Sequence, residues 1–171
     1  MEIVRLNRKA GWSACLARWH GREWGHLYED WDATVALRDF LTEPDEGLPG
    51  TFVAVEGEEL VGSVSVVTGD LPGAPDEWNP WVASLFVRSE WRGRGWGCRL
   101  IERAVAVAAE CGAAEAWCLT EERQSLFARC EFEWVAESTA NGWAVSVMRR
   151  VIDPGRVRVA DASAGLTTRS W

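Results

Sequence analysis

The run Trp81-Val82-Ala83-Ser84-Leu85-Phe86-Val87 leads through Arg88-Ser89-Glu90-Trp91 into Arg92-Gly93-Arg94-Gly95-Trp96-Gly97-Cys98. Its first part is almost unbroken apolar sequence, the pattern of a strand covered on both faces. Beyond the glycines, Leu100, Ile101, Ala104, Val105 and Ala108 recur three and four apart, which predicts a helix. Gly112 is placed to cap that helix, and Glu115 to Leu119 reads as a further strand. Strand, glycine-rich turn, helix and strand in this order set the fold class as mixed α/β.

A glycine-rich turn of this kind has two uses. Helix N-termini leave backbone N–H groups unpaired and carry partial positive charge. Glycines let the backbone close around an anion, because no Cβ intervenes and positive φ is open to them. Arg92 and Arg94 add full charges, and guanidinium groups suit phosphate oxygens. The plainer use is a tight turn with solvated arginines. Spacing narrows the phosphate ligands. GxxxxGK[ST] is absent, which excludes a nucleoside-triphosphatase loop. Gly93, Gly95 and Gly97 make GxGxG, not GxGxxG, and no acid ends the next strand. That argues against a dinucleotide-binding enzyme.

Working outward, Ile3 to Leu6 is a short candidate strand, and Lys9 to Trp24 places Trp12, Leu16, Trp19 and Glu23 at helical spacing. Asp32 is placed to cap a second helix over Ala33 to Leu41. Thr51 to Glu56 and Leu60 to Thr68 are rich in β-branched residues around Gly57 and read as a hairpin. Gly69 to Pro80 is a long loop holding Asp70, Asp76 and Glu77, and loops of that length in compact domains often serve function. Gln124 to Arg129 reads as a short helix. Phe132 to Glu137 and Trp143 to Val151 read as an antiparallel pair.

The chain has 171 residues, 47% hydrophobic and 26% charged, the size and composition of one folded domain. That domain is expected over residues 1–152, with the polar, aperiodic residues 153–171 as a tail. No apolar run approaches the ~20 residues of a membrane helix, and Met1 to Arg5 does not resemble a signal peptide. Cysteines at 15, 98, 111, 118 and 130 form no CxxC pair, and there are two histidines. This pattern argues against a disulfide framework and a zinc site, and for a reducing, cytoplasmic setting. The net charge of −8 argues against nucleic acid or membrane as a partner. Residues 1–87 carry 6 basic and 15 acidic side chains, whereas residues 88–171 carry 12 and 11. One half suits a cationic partner and the other a local anion.

Arg92-Gly93-Arg94-Gly95-Trp96-Gly97 resembles the R-x-x-G-x-G/A pyrophosphate loop of the GNAT superfamily of N-acetyltransferases. Ser84 to Val87 resembles that family's fourth strand, and Ser125-Leu126-Phe127-Ala128-Arg129-Cys130-Glu131-Phe132 resembles its late helix segment. The resemblance spans roughly residues 1–152. It implies a central, mostly antiparallel sheet of about seven strands, with helices on both faces and a splayed strand pair. It implies acetyl-coenzyme A as cosubstrate and acetyl transfer to a primary amine of a small molecule or peptide, by direct attack on the thioester. Leu85, Phe86 and Val87 would run beside the pantetheine arm, with a backbone N–H of Leu85 or Phe86 at the thioester oxygen. Arg92, Gly93, Arg94, Gly95, Trp96, Gly97 and Cys98 would hold the pyrophosphate. Phe127 would border the bound cosubstrate. A monomer or a homodimer fits the family.

The chain departs from the family at two positions. Phe127 stands where a tyrosine commonly serves as acid for the departing thiolate, and Glu131 stands where a glycine turns the chain. Tyr28 is the one tyrosine, and nothing in the sequence places it near Phe127. The strand from Trp81 to Val87 also lacks an acid, so a catalytic base must come from elsewhere. Asp70 and Glu77 in the long loop are the candidates of choice, with Asp76, Glu23 and Glu29 behind them. Two readings follow: an acetyltransferase whose thiolate, a tolerable leaving group, departs without that acid, or a coenzyme A-binding module without transfer.

Overall fold

A computed structural model describes residues 2–6, 10–153 and 155. The chain folds as β1 (Glu2–Arg5), α1 (Ala10–Trp24), α2 (Ala33–Thr42), β2 (Gly50–Glu56), β3 (Glu59–Val67) and β4 (Trp81–Val87). A single 3-10 turn over Ser89–Trp91 precedes α3 (Trp96–Glu110), β5 (Glu115–Thr120), α4 (Gln124–Arg129), β6 (Glu133–Ala140) and β7 (Trp143–Val151). The tail expected over 153–171 lies outside the described residues, Asp153 and Gly155 apart, as does Lys9. The sixth strand starts one residue later than the sequence suggests and runs on to Ala140.

All seven strands form one sheet in the order β1-β2-β3-β4-β5-β7-β6. Every neighbouring pair is antiparallel except β4 and β5. Alternation along the strands divides the core. Phe52, Ala54, Val64 and Val82 face α3 and pack on Leu100, Ile101 and Ala104. Val53, Val55 and Leu60 face the other way, onto Leu16 and Ala17 of α1 and Ala36 and Phe40 of α2. Helices thus cover both faces, as expected.

Local chemistry fixes the helix ends. The Asp32 carboxylate accepts from the N–H groups of Thr34 and Val35 at 2.7 and 3.0 Å, satisfying two donors that the first turn of α2 leaves unpaired. Past α3, the N–H of Ala113 bonds the carbonyl of Ala108 at 3.0 Å and that of Gly112 bonds Ala109 at 2.9 Å, the paired closure of a Schellman turn. Helix α4 closes the same way, Phe132 to Phe127 and Glu131 to Ala128, both at 3.1 Å. Here Glu131 sits where Gly112 sits in α3, at φ +63°. An ion pair from Glu131 to Arg150 at 3.1 Å helps offset that strain.

The parallel pair is where the sheet opens. Strands β4 and β5 share one register pair, Trp81 opposite Trp117, with the Trp117 N–H bonded to Pro80 at 3.0 Å. Beyond it they diverge. On its other side β4 stays paired with β3, but Ser63 faces Phe86 while Ser65 faces Ala83. Ser84 and Leu85 therefore oppose Val64 alone, a β-bulge, and Ser84 adopts φ +51°. The bulge bends β4 where it leaves β5. Close contact with β3 holds the bend, since a Cβ on Gly62 would lie 2.4 Å from the Phe86 carbonyl oxygen.

Candidate active site

The gap between β4 and β5 has two ends with different chemistry. At one end lies the glycine loop. Gly93 and Gly95 have φ of +75° and +82°, and a side chain at either position would be strained. Helix α3 begins at Trp96, and its first internal bond runs from the Arg99 N–H to the Gly95 carbonyl at 3.2 Å. The N–H groups of Trp96, Gly97 and Cys98 have no carbonyl a turn before them, so they are available to an anion. Arg92 to Gly95 are exposed, whereas Trp96 turns inward, 2% exposed, against Leu100 and the sheet. The tryptophan thus anchors the loop from behind.

Arg88, Arg92, Arg94, Arg99 and Arg103 crowd this region, and the structure sorts them, with Arg99 over the Trp96 ring at 4.5 Å. Arg88 is held by Glu59 and Glu90, and Arg103 by Glu110 at 3.0 Å. Arg92 donates to the Val87 carbonyl at 2.8 Å, and Arg94 lies over the Trp91 ring at 4.9 Å. Those two stand on the loop itself with no carboxylate partner among the described residues, which leaves their charge for an anion. Glycine conformation, loop amides, unspent arginines and an opened β4 edge fit an elongated phosphate-bearing cosubstrate. Cys98 lies within hydrogen-bonding reach of Cys130. Gly97 packs against Leu126, where a Cβ would lie 3.2 Å from the leucine side chain.

At the other end is a cavity of about 300 Å³. Ser84 and Leu85 of β4, Leu119 and Thr120 of β5, and Phe127 of α4 form part of its wall. The segment after α1 supplies His26 and Tyr28, and the long loop supplies Asp70. The Tyr28 hydroxyl donates to the Asp70 carboxylate at 2.7 Å. Loss of hydration pushes the Asp70 carboxyl up to about 6, and the Tyr28 bond only partly opposes that. Burial and then the Asp70 charge raise the Tyr28 phenol well above its usual range, so it stays protonated. Cys118 is raised too, chiefly by burial and next by Asp70.

Glu23, Glu121 and Glu122 join Asp70 in lining the cavity, against Arg123. His26 contacts Glu121 at 3.1 Å and meets the exposed Trp143 ring edge-on at 4.8 Å. Asn141, in the turn before β7, donates to the His26 carbonyl at 2.9 Å. The β6–β7 hairpin therefore braces the segment that presents Tyr28. Acids predominate here, so the cavity attracts cations.

Of the residues singled out from the sequence, Asp70, Leu85 and Phe127 line this cavity, as does Glu23. Glu77 and Asp76 are exposed on the loop, Glu29 is exposed beyond α1, and none of the three lines it. The Phe86 ring turns toward α1, 5.2 Å from Trp19. Trp78 stacks on Trp117 at 4.4 Å, outside the cavity wall. Val87 and Arg92 through Cys98 form the loop end. Nothing in the sequence places Tyr28 near Phe127, yet both line the cavity. Its one sequence signal is that it is the lone tyrosine of a chain lacking the expected one. Among the described residues, no group of three or more His, Cys, Asp or Glu could hold a metal ion, and no helix is long and apolar enough to cross a membrane.

Comparison with known proteins follows the same lines. A family profile described as the acetyltransferase (GNAT) family matches residues 14–132. By sequence, the chain matches none of the curated proteins. Among solved structures, it is similar to the aminoglycoside 6'-N-acetyltransferase from Enterococcus faecium, with 18% identity and a TM-score of 0.69, covering 90% of this chain and 98% of that one. An aminoglycoside 6'-acetyltransferase type Ii has 21% identity and a TM-score of 0.68, with coverage of 90% and 99%. An aminoglycoside 6'-N-acetyltransferase complexed with coenzyme A has 19% identity and a TM-score of 0.68, with coverage of 90% and 98%. At such identities the likeness is one of fold.

Proposed function

The chain belongs to the GNAT family of acetyltransferases, and on that premise we propose that it transfers acetyl from acetyl-coenzyme A to a primary amine of a cationic small molecule. The observation that carries this reading is the cavity at the splay, where Asp70 and three glutamates line the wall beside the bulged Leu85. The glycine loop and Arg92 and Arg94 hold the pyrophosphate. The opened edge of β4, from Leu85 to Val87, lies along the pantetheine arm. A Leu85 backbone N–H at the bulge stabilises the oxyanion that develops on the thioester carbonyl. Asp70 is the base. A carboxylate near 6 is ionised at neutral pH, yet it accepts a proton more readily than an ordinary aspartate.

Structural neighbours named as aminoglycoside acetyltransferases favour acceptors with several amino groups. The predominance of acids agrees, because each further ammonium group gains a carboxylate partner. The test is a panel of polyamines, amino sugars, amino acids and apolar amines, with coenzyme A thiol release as readout. Turnover confined to anionic or apolar amines would overturn the reading. A second reading, a coenzyme A-binding module, draws on the buried Phe127 ring, which has no proton to give. Acetyl-coenzyme A binding without thiol release across the panel would favour it.

A further inference from the structure

Phe127 leaves the departing sulfur without the acid that its position would otherwise supply. Yet the cavity does contain one hydroxyl of the right chemistry. Tyr28 lines the same wall as Phe127 and Leu85, and its phenol is bonded to the proposed base at 2.7 Å. We propose that Tyr28 is a catalytic residue, the proton donor to the coenzyme A thiolate, recharged by Asp70. The inference rests on the acetyl-transfer reading above and adds to it the route by which the proton leaves.

The steps balance without any further reactant. The neutral amine nitrogen bonds to the thioester carbon, and the carbon–sulfur bond breaks with its electron pair on sulfur. The proton that nitrogen sheds goes to Asp70. Once protonated, Asp70 no longer accepts from Tyr28 but donates to it, which turns the phenol proton toward sulfur. Tyr28 gives that proton to the thiolate and takes the one from Asp70. One proton has passed from nitrogen to sulfur, and both side chains end as they began.

Proton affinities favour this direction. The phenol alone would be a poor donor, since burial holds its proton tightly. Coupled to Asp70 at about 6, the relay delivers a proton from that carboxyl to a thiolate whose conjugate acid ordinarily lies near 8.5, a downhill transfer. The same pairing lets acid and base share one hydrogen bond in a cavity that Leu27, Val82 and Leu119 also line.

The test compares the intact protein with Tyr28→Phe, Phe127→Tyr and the double variant, using the best amine from the panel. Tyr28→Phe should lower kcat at least tenfold and leave acetyl-coenzyme A affinity within twofold. Adding Phe127→Tyr should restore kcat at least fivefold, because a phenol returns to the cavity from α4. A Tyr28→Phe kcat within twofold of the intact protein would overturn the proposal. So would failure of Phe127→Tyr to raise the variant's kcat while acetyl-coenzyme A still binds, because Tyr28 would then serve only to position Asp70. An intact protein that acetylates no amine would instead overturn the acetyl-transfer reading itself.

Discussion

In the proposed site, Arg92 to Cys98 make the phosphate end from one unbroken run, whereas the acceptor end draws Tyr28, Asp70, Leu85, Glu121 and Phe127 from five separate segments. The first end works through backbone: left-handed glycines and the opening turn of α3. The second works through side chains whose properties come from being brought together. What suits Asp70 to the proposed role of base is its burial against Tyr28, not its neighbours in sequence. On the proposed reading, binding of cosubstrate and proton chemistry are separable, and variants should divide along the same line.

Asp70→Asn should give the largest effect. Asparagine keeps an acceptor for Tyr28 but cannot take a proton at neutral pH, so kcat should fall at least a hundredfold, about 2.7 kcal/mol of barrier. Acetyl-coenzyme A affinity, read by calorimetry, should stay within twofold. A comparable loss of affinity would break the division between the two ends.

The same substitution should affect stability in the opposite sense. Asp70 is raised from 3.8 to about 6, so the folded state binds more protons than the unfolded state between those values. Stability from this group is present below about 4 and is lost as pH rises through about 6. With the side chain half-buried, the cost of its charge at pH 7 is on the order of 1–2 kcal/mol. Asp70→Asn should therefore melt several degrees higher at pH 7, with the gain shrinking toward pH 4. A variant that melts lower at pH 7 would mean that the ionised carboxylate supports the fold.

Arg92→Ala tests the other end. Losing one cation beside the pyrophosphate should weaken acetyl-coenzyme A binding about tenfold, near 1.4 kcal/mol. At saturating cosubstrate, kcat should remain within twofold. Glu131→Gly should have the smallest effect, a gain of less than about 1 kcal/mol in stability. It relieves the left-handed strain at φ +63°, and Arg150 keeps Glu102 at 2.6 Å. Activity should not change, because the α4 closure that supports Phe127 is retained.

What the sequence disclosed follows from the same contrast. The glycine loop, the Asp32 cap, the Gly112 closure and the apolar run of β4 are local features, each read from neighbouring residues. The Phe127 departure was also visible, since it lies inside a recognisable segment. Tyr28 was not, because its place depends on how the turn after α1 meets the loop that holds Asp70, and the β6–β7 hairpin braces that meeting through Asn141. Ser84 escaped for a different reason. Left-handed φ is uncommon at serine, so nothing in the apolar run signals a bulge. The alternation rule likewise gives no means to choose among Asp70, Asp76 and Glu77; only burial separates them.

The most direct test is a calorimetric titration of acetyl-coenzyme A into the intact protein, Arg92→Ala and Asp70→Asn. Binding in the micromolar range, weakened about tenfold by Arg92→Ala and unchanged by Asp70→Asn, is the predicted result. No binding to the intact protein, or equal binding by the intact protein and Arg92→Ala, would contradict the assignment of the glycine loop and the division of the site built on it.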